Sequence, residues 1–480
     1  MSEHEPRKER SPGMKLLFVA LIGAVLTIPL LLIYAVVYDR QDQSQTAQAA
    51  INAGWGGPQV VAGPVVVVPF RTTQTQNEEI GGKAVTRTVE VEKLLYISPV
   101  ENTVSTTIDP QERSKSIYRS VLYEAKVSGK ASFALPDDLP RFGVTRERLL
   151  WDRAQLRMGV SDARGLTTGG TLSANGKALA LQPGKGSAAT GGAGFFAFLP
   201  WNGEGTLTID YGFGVRGSRS LSLVPRGGKS SWNVSSSWQS PSFSGDFLPD
   251  IRTISDKGFT ANYAVDKLAL GQAPVMMEDP GPPVIDNRDG RVTSIDIRET
   301  LANDPASGGA MEIVGGSSRA LSIDLVEPVN LYSKVERAVK YGFLFIGFTF
   351  LAFLLFDIVG GARVASAEYL LTGAGLILFF VLLLAFAEVI GFTPAYLLAS
   401  AAIIGLLASY SAAVLKSWVR GRFIGALLVG LYALLFVLLN LEAWSLLIGS
   451  VLLFAALAGV MYATRKVDWG AVGRREVGET

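Results

Sequence analysis

The chain has 480 residues, 48% of them hydrophobic, a formal net charge of +2, no cysteine and one histidine. The absence of cysteine excludes a disulfide framework, a thiolate zinc site and a cysteine nucleophile. The histidine, His4, lies in the charged N-terminal stretch MSEHEPRKER, so Ser-His-Asp triads, His-bearing zinc hydrolases and histidine proton shuttles are excluded for the rest of the chain.

After the N-terminal basic residues Arg7, Lys8, Arg10 and Lys15, an apolar run covers about Leu16–Tyr38. A bilayer core needs about 20 helical residues, and a cleavable signal has a shorter apolar stretch, so this run reads as an uncleaved anchor. The polar stretch Asp39–Asn52 continues it as helix or stalk, and GWGGP (Gly54–Pro58) breaks it. From there to about Pro328, short β-branched runs alternate with Gly, Ser, Asn and Asp turns. The clearest are VVAGPVVVVPF, Arg87–Ile97, Val121–Phe133, Ala154–Val160, Leu179–Gln182, Gly194–Leu199, Thr206–Tyr211, Arg219–Val224, Ser230–Ser236 and Leu321–Val326. Strands without a βαβ rhythm predict a mainly antiparallel, sandwich-like domain. Leu268–Ser318, rich in Gly and Pro, is expected to be a long loop packed on the sheet. Five further apolar runs follow, about Tyr341–Val359, Tyr369–Ala387, Pro394–Leu415, Phe423–Leu439 and Trp444–Ala463. The expected fold is therefore a polytopic α-helical membrane protein, about six transmembrane helices arranged 1 + 5, with a large inserted β domain. In residue ranges this is an N-tail (1–15), an anchor (16–38), a β-rich domain (39–338), a five-helix block (339–463) and a C-tail (464–480).

Lysine and arginine in short loops set orientation. Arg363, the trio Lys416, Arg420 and Arg422, and the C-terminal Arg465, Lys466, Arg474 and Arg475 fall on the same side as the basic N-tail. The opposite loops carry Glu388 and Glu442. Lys334, Arg337 and Lys340 fall on that opposite side, where a long translocated domain escapes the rule. Both termini are expected in the cytoplasm and the β domain in the periplasm of a bacterial inner membrane. The β domain carries nearly equal numbers of basic and acidic residues, so no nucleic-acid partner is expected.

Several patterns invite a chemical reading. Gly212, Gly214 and Gly217 spell G-x-G-x-x-G, but SRSLSLVP follows where a dinucleotide site needs a helix, so a hairpin turn is expected. Asp286 and Asp289 in DNRDG place Arg288 at a calcium-ligand position and read as a turn. Asp246 and Asp250, in WQSPSFSGDFLPD, are a conceivable carboxylate pair; a structural loop with Phe243, Phe247 and Leu248 packed inward is the alternative preferred. Trp201, Trp232 and Trp238 suit a β core better than sugar stacking. Asp357, Glu368 and Glu388 fall at span ends, leaving the span centres uncharged, which argues against an ion path.

Six stretches together resemble the CreD family of inner-membrane proteins. They are GPQVVAGPVVVVPF (Gly57–Phe70), VSDARG (Val160–Gly165), WQSPSFSGDFLP (Trp238–Pro249), VERAVKYGFLFIGFTFLAF (Val335–Phe353), YLLTGAGLILFFVLLLAFAEVIGFTPAYLLAS (Tyr369–Ser400) and KVDW (Lys466–Trp469). The likeness covers nearly the whole chain, and its two long C-terminal stretches are the most specific. The N-tail and the segment after Trp469 do not take part. The resemblance implies a role in cell-envelope integrity, altered tolerance to a DNase colicin, and control by a two-component system linked to β-lactam response. It brings no catalytic residues and no cofactor. Asp162, Arg164, Asp246 and Phe247 are the candidates for a shared structural or partner-binding role. Glu336, Arg337 and Lys340, at the entrance to the helix block, are candidates for coupling the β domain to the membrane. The expected activity is non-enzymatic, with an envelope protein, lipid or peptidoglycan as partner alongside the bilayer. The alternatives are a lipid or small-molecule transporter or flippase using the five-helix block, and a carboxylate-based wall-glycan hydrolase.

Overall fold

The computed structural model describes residues 12–80, 83–115, 117–283, 317–326, 331–358, 364–440 and 445–465. His4, the DNRDG segment, Arg363, Glu442, Trp444 and KVDW lie outside the described residues. The chain divides into two compact units, Ala47–Pro328 and the combination of Met1–Thr46 with Val329–Thr480.

In the second of these, helix α1 (Pro12–Ala53) contributes its first part. It is followed by α2 (Leu331–Lys340), α3 (Gly342–Ile358), α4 (Ser366–Ile390), α5 (Phe392–Val414), α6 (Trp418–Asn440) and α7 (Ser445–Thr464). Among the described residues five helices are long and apolar enough to cross a membrane, with α2 and α3 running together as one of them. These are the anchor and the first four expected C-terminal crossings; α7 is the helix of the fifth. Asp39–Asn52 is helical, as α1 continues to Ala53. The segment VERAVKY is not a plain connection. It lies largely in α2, whose Tyr332, Val335, Ala338 and Val339 are buried at helical spacing.

The helix block packs through small and aromatic residues. Leu26, Leu30, Ile33 and Val37 of α1 are buried at i, i+4, i+7 and i+11. Leu26 lies over Gly373 of α4 so closely that a Cβ there would come within 2.1 Å of it. An aromatic cluster fills the space between α3, α4, α5 and α6. Phe379 lies 4.5 Å from Tyr432 and 5.5 Å from Tyr396 between ring centroids, and Tyr432 lies 4.9 Å from Phe345.

The β unit has seventeen strands among the described residues. The first eight are β1 (Gln59–Ile80), β2 (Lys83–Ile97), β3 (Glu101–Lys115), β4 (Tyr118–Phe133), β5 (Gln155–Val160), β6 (Thr171–Ala174), β7 (Lys177–Ala178) and β8 (Gln182–Pro183). Then come β9 (Gly194–Phe198), β10 (Leu207–Ser218), β11 (Ser220–Val224), β12 (Lys229–Ser236), β13 (Pro241–Gly245), β14 (Ile251–Ser255), β15 (Gly258–Asp266), β16 (Val275–Met276) and β17 (Leu321–Leu325). They form a nine-stranded sheet, in the order β13-β17-β11-β1-β5-β9-β8 with β2 on β1 and β16 on β2, and an eight-stranded sheet, β14-β15-β12-β3-β4-β10-β6-β7. Pairing is antiparallel except β1 with β11 and β3 with β12. One buried core joins residues of both sheets, including Val66, Phe70, Val104, Tyr123, Phe133, Leu156, Trp232 and Ile323.

The two sheets differ in a way their sequences explain. Strand β3 alternates exposed and buried residues from Glu101 to Asp109, the pattern of a sheet with one wet face. Strand β1 is buried continuously from Val61 to Phe70, so both of its faces are covered there. A turn at Ser187–Thr190 helps cover the outer face: Ala189 packs with Ala62 and Val224. Gly159 of β5 permits this approach, because a Cβ there would meet the Thr190 hydroxyl at 2.5 Å.

Gly212, Gly214 and Gly217 lie inside β10 rather than in a hairpin turn. Two of the cross-strand partners in β4 and β10 are glycine–tyrosine pairs, Gly217 with Tyr123 and Gly129 with Tyr211. Each tyrosine ring lies where the glycine's side chain would be, its hydroxyl 2.4 Å and 2.3 Å from the Cβ that is absent. Burial pushes both phenols above their ordinary pKa.

Candidate functional sites

Four places among the described residues bring polar groups of distant segments together, and a fifth is an exposed strand edge. The first is at one end of the helix block. Tyr34 of α1 donates to Glu336 of α2 (3.1 Å), and Glu336 pairs with Lys340 at 2.7 Å. Arg40 of α1 lies 4.0 Å from Glu388 near the end of α4, and Tyr332 donates to the same carboxylate at 3.3 Å. Lys334 donates to Asn440, the last residue of α6 (3.1 Å). In an alternating bundle the exits of α1, α4 and α6 and the entrance of α2 must share one end, and these contacts bring them together. Arg337 donates to the Ser333 carbonyl of its own helix (3.4 Å). These contacts of Glu336, Arg337 and Lys340 lie within the helix block, and Glu336 ties α2 to α1. Glu368 accepts from the Ala365 amide at the start of α4 (2.6 Å), a helix-capping role.

The second is a knot around Gln59, which is fully buried. Its Nε2 donates to the Arg216 carbonyl (2.9 Å) and the Asp162 carbonyl (3.3 Å), and its Oε1 accepts from the Asp162 amide (3.2 Å). Asp162 caps the turn Ala163–Gly165 and accepts from Arg164 Nε and Nη2 at 2.9 and 2.8 Å. Gly165 lies against the Arg216 carbonyl, 2.3 Å from where a Cβ would be. Two stretches about 100 residues apart, GPQVV and VSDARG, therefore interlock here through hydrogen bonds.

The guanidinium of Arg164 holds the Asp162 carboxyl below the ordinary carboxylate range, against a smaller opposing effect of burial. A lowered folded-state pKa contributes stability that is present above the unfolded value, about 4, and is lost as pH falls through the folded one. Asp162→Asn is therefore expected to lower the melting temperature at neutral pH. The difference from the parent should close as the buffer is taken to pH 3 and below, read by near-ultraviolet circular dichroism of the full chain.

The third place is the turn after β13. Asp246 exchanges backbone hydrogen bonds with Ala320, donating its amide to the Ala320 carbonyl, while its Oδ2 accepts from the Ala320 amide (2.7 Å). Phe247 packs against the core with the Arg319 guanidinium 5.9 Å from its ring centre. Asp250 Oδ2 accepts from the Ala264 amide (2.9 Å). Both carboxylates thus serve backbone amides, Asp246 that of Ala320 just before β17 and Asp250 that of Ala264 in β15. Phe243 also packs on the core, against Phe259, whereas Leu248 is 62% exposed, contrary to the inward packing expected. Of the tryptophans, Trp232 and Trp201 are buried and Trp238 is half-buried against the core.

The fourth place has no counterpart in the sequence reading. Arg226, 1% exposed, forms an ion pair with Asp279, 5% exposed. Arg226 Nη2 donates to Ser187 Oγ (2.7 Å), and Ser187 Oγ donates to Asp279 Oδ2 (3.0 Å). The Ala188 amide donates to the same oxygen (2.6 Å). Three separate segments are joined at this point. The only hint in sequence is the glycine-rich run GKGSAATGGAG around Ser187, which permits a tight turn but names no partner.

The fifth is an edge. Strand β14 ends the eight-stranded sheet, pairing with β15 alone among the described residues. All five of its residues are exposed, Ile251 at 65% and Ile254 at 49%.

The sequence profile of the family described as "Inner membrane protein CreD" matches residues 11–470. The chain belongs to the CreD family. It is 31% identical over 464 residues to inner membrane protein CreD of Escherichia coli (strain K12), covering 94% of this chain and 93% of that protein. Two solved structures of an M1 zinc metallopeptidase from Deinococcus radiodurans share 8% and 10% identity with the chain. The first covers 35% of this chain and 38% of that one with a TM-score of 0.20; the second, a substrate-bound mutant, covers 69% and 86% with a TM-score of 0.19. At those scores neither carries an argument. As a CreD protein with several apolar helices, the chain is a multi-pass inner-membrane protein with a large, mainly antiparallel β domain between its first and later spans.

Proposed function

We propose that the protein is a non-enzymatic contributor to cell-envelope integrity. Its β domain lies in the periplasm, both termini lie in the cytoplasm, and the domain binds a protein of the envelope in extended form. The helix block fixes it in the inner membrane. The observation that carries the binding role is β14. An exposed edge presents unpaired backbone groups to a second chain, and apolar side chains on it add affinity. Leu248, Ile251 and Ile254 provide such side chains within seven residues. Lys416, just before α6, and Arg420 and Arg422 in its first turns are opposite Glu388 at the far end of α4 and support the orientation. The aromatic filling between α3, α4, α5 and α6 supports an anchoring role over passage of a solute. The contacts of Asp162, Arg164, Asp246 and Phe247 support structural roles, and those of Glu336 and Lys340 support the seating of α1.

Deletion is expected to raise sensitivity to detergent and envelope stress without loss of a metabolic step. Ile251→Lys with Ile254→Lys should leave the protein at its normal level in the membrane and fail to restore tolerance. Full restoration would remove β14 as the binding edge, and a normal envelope in the deletion under several stresses would remove the envelope role itself.

A further inference from the structure

We propose that a groove between α1 and α3 is a phospholipid site, with one acyl chain along the groove and the lipid phosphate at Lys340. The groove has a volume of about 310 Å³. Leu16, Gly23 and Thr27 form one wall, and Phe343, Gly347 and Leu354 form the other. Both helices are among those long and apolar enough to cross a membrane, so the groove lies at hydrocarbon depth. Its wall on α1 runs from Leu16 to Leu30, about 21 Å at 1.5 Å per residue, which accommodates a chain reaching through one leaflet of about 15 Å. The opening is built into the packing. α1 is seated by the buried Leu26, Leu30, Ile33 and Val37, and toward its N-terminus Gly23 has, among the described residues, no heavy atom within 4 Å of a Cβ placed there. Gly347 is equally open on the facing wall.

Charge at one end selects the occupant. The Leu30 side chain reaches Gly342 at this end, and one turn further along α1 is Tyr34. Lys340 sits three residues before Phe343, with its ammonium 5.7 Å from the Tyr34 ring centre. That ammonium has three donors, one of which meets Glu336, and the side chain is 56% exposed. An apolar trough that ends beside an exposed ammonium at the rim of the hydrocarbon is complementary to an acyl chain followed by a phosphate. An apolar helix from a second copy would fill the trough but offer no acceptor to the ammonium donors that do not meet Glu336.

The test uses the full chain in vesicles of phosphatidylethanolamine and phosphatidylglycerol doped with a phospholipid carrying a photoreactive group on its acyl chain. Labelled peptides are mapped by mass spectrometry. Label is expected on both walls. It should fall there about fivefold or more in Gly347→Leu and in Gly23→Leu, while label on the exposed Leu397 and Leu398 of α5 stays constant. Neither leucine meets a neighbour at its Cβ, and the constant label on α5 verifies that the variants are inserted. Lys340→Gln should reduce the number of phospholipids retained in native mass spectra. Unchanged wall label in both leucine variants would overturn the proposal. So would a disulfide between two copies of Gly347→Cys, a clean readout because the chain has no other cysteine.

Discussion

Arg226→Ala is expected to destabilise the β domain by about 3–5 kcal/mol, because it leaves the Asp279 carboxylate buried without its counter-charge. Few single changes in this chain should cost more. A domain is typically stable by only about 5–15 kcal/mol, so the variant should approach its unfolding threshold at growth temperature. The loss arises from desolvation of the remaining charge rather than from the strength of the pair. The double variant Arg226→Met with Asp279→Asn separates the two. Asparagine keeps an acceptor for the Ala188 amide and Ser187, and methionine removes the arginine Nε and Nη1, which are buried without hydrogen-bond partners among the described residues. The double variant should recover at least half of the loss, measured by thermal unfolding of the detergent-solubilised full chain. A double variant no better than Arg226→Ala would mean that the pair itself, rather than the stranded charge, holds the turn at Ser187 in place.

Trp232→Ala is expected to cost a similar amount, about 3–5 kcal/mol, by removing a large side chain from a filled core. Trp232 is 1% exposed, stacks on Tyr263 at 5.3 Å and donates its indole N–H to Thr106 Oγ1 at 2.9 Å. Truncation opens a cavity between β3, β12 and β15 and strands the threonine hydroxyl. Trp232→Phe should retain much of the packing and lose mainly the hydrogen bond, with a smaller cost of about 1–2 kcal/mol. Equal melting temperatures for the parent and the alanine variant would contradict the core role.

The membrane helices were legible because the bilayer imposes length and composition on each segment separately. The expected Pro394–Leu415 and the observed Phe392–Val414 differ by two residues at most at each end. The β strands were legible where burial is continuous or strictly apolar, as in VVAGPVVVVPF. Strand β3, ENTVSTTIDPQERSK, escaped because Asn102 and Thr106 take buried positions beside Val104 and Ile108, which blurs the apolar alternation. The glycines of β10 read as turn glycines because what covers them is distant in sequence: Tyr123 lies over Gly217, Thr167 against Gly214 and Thr171 against Gly212. The clasp of Ser187, Arg226 and Asp279 was out of reach for a different reason. Its members are 39 and 53 residues apart in sequence, and the pairing of β5 with β9, of β11 and of β2 with β16 around β1 brings their segments together. Gln59 was visible as a polar residue heading an apolar strand, but its partners at Asp162 and Arg216 were not.

In the proposed function, β14 is the edge on which an envelope protein docks from the periplasmic side. A photoreactive amino acid placed at Ile254 of the full-length protein, irradiated in living cells, tests it most directly. A discrete crosslinked envelope protein is expected, disappearing when Ile251 is replaced by lysine, with no such product from a probe at the buried Trp232. Crosslinking of Ile254 only to cytoplasmic proteins, or to no protein while the variant still supports envelope tolerance, would contradict it.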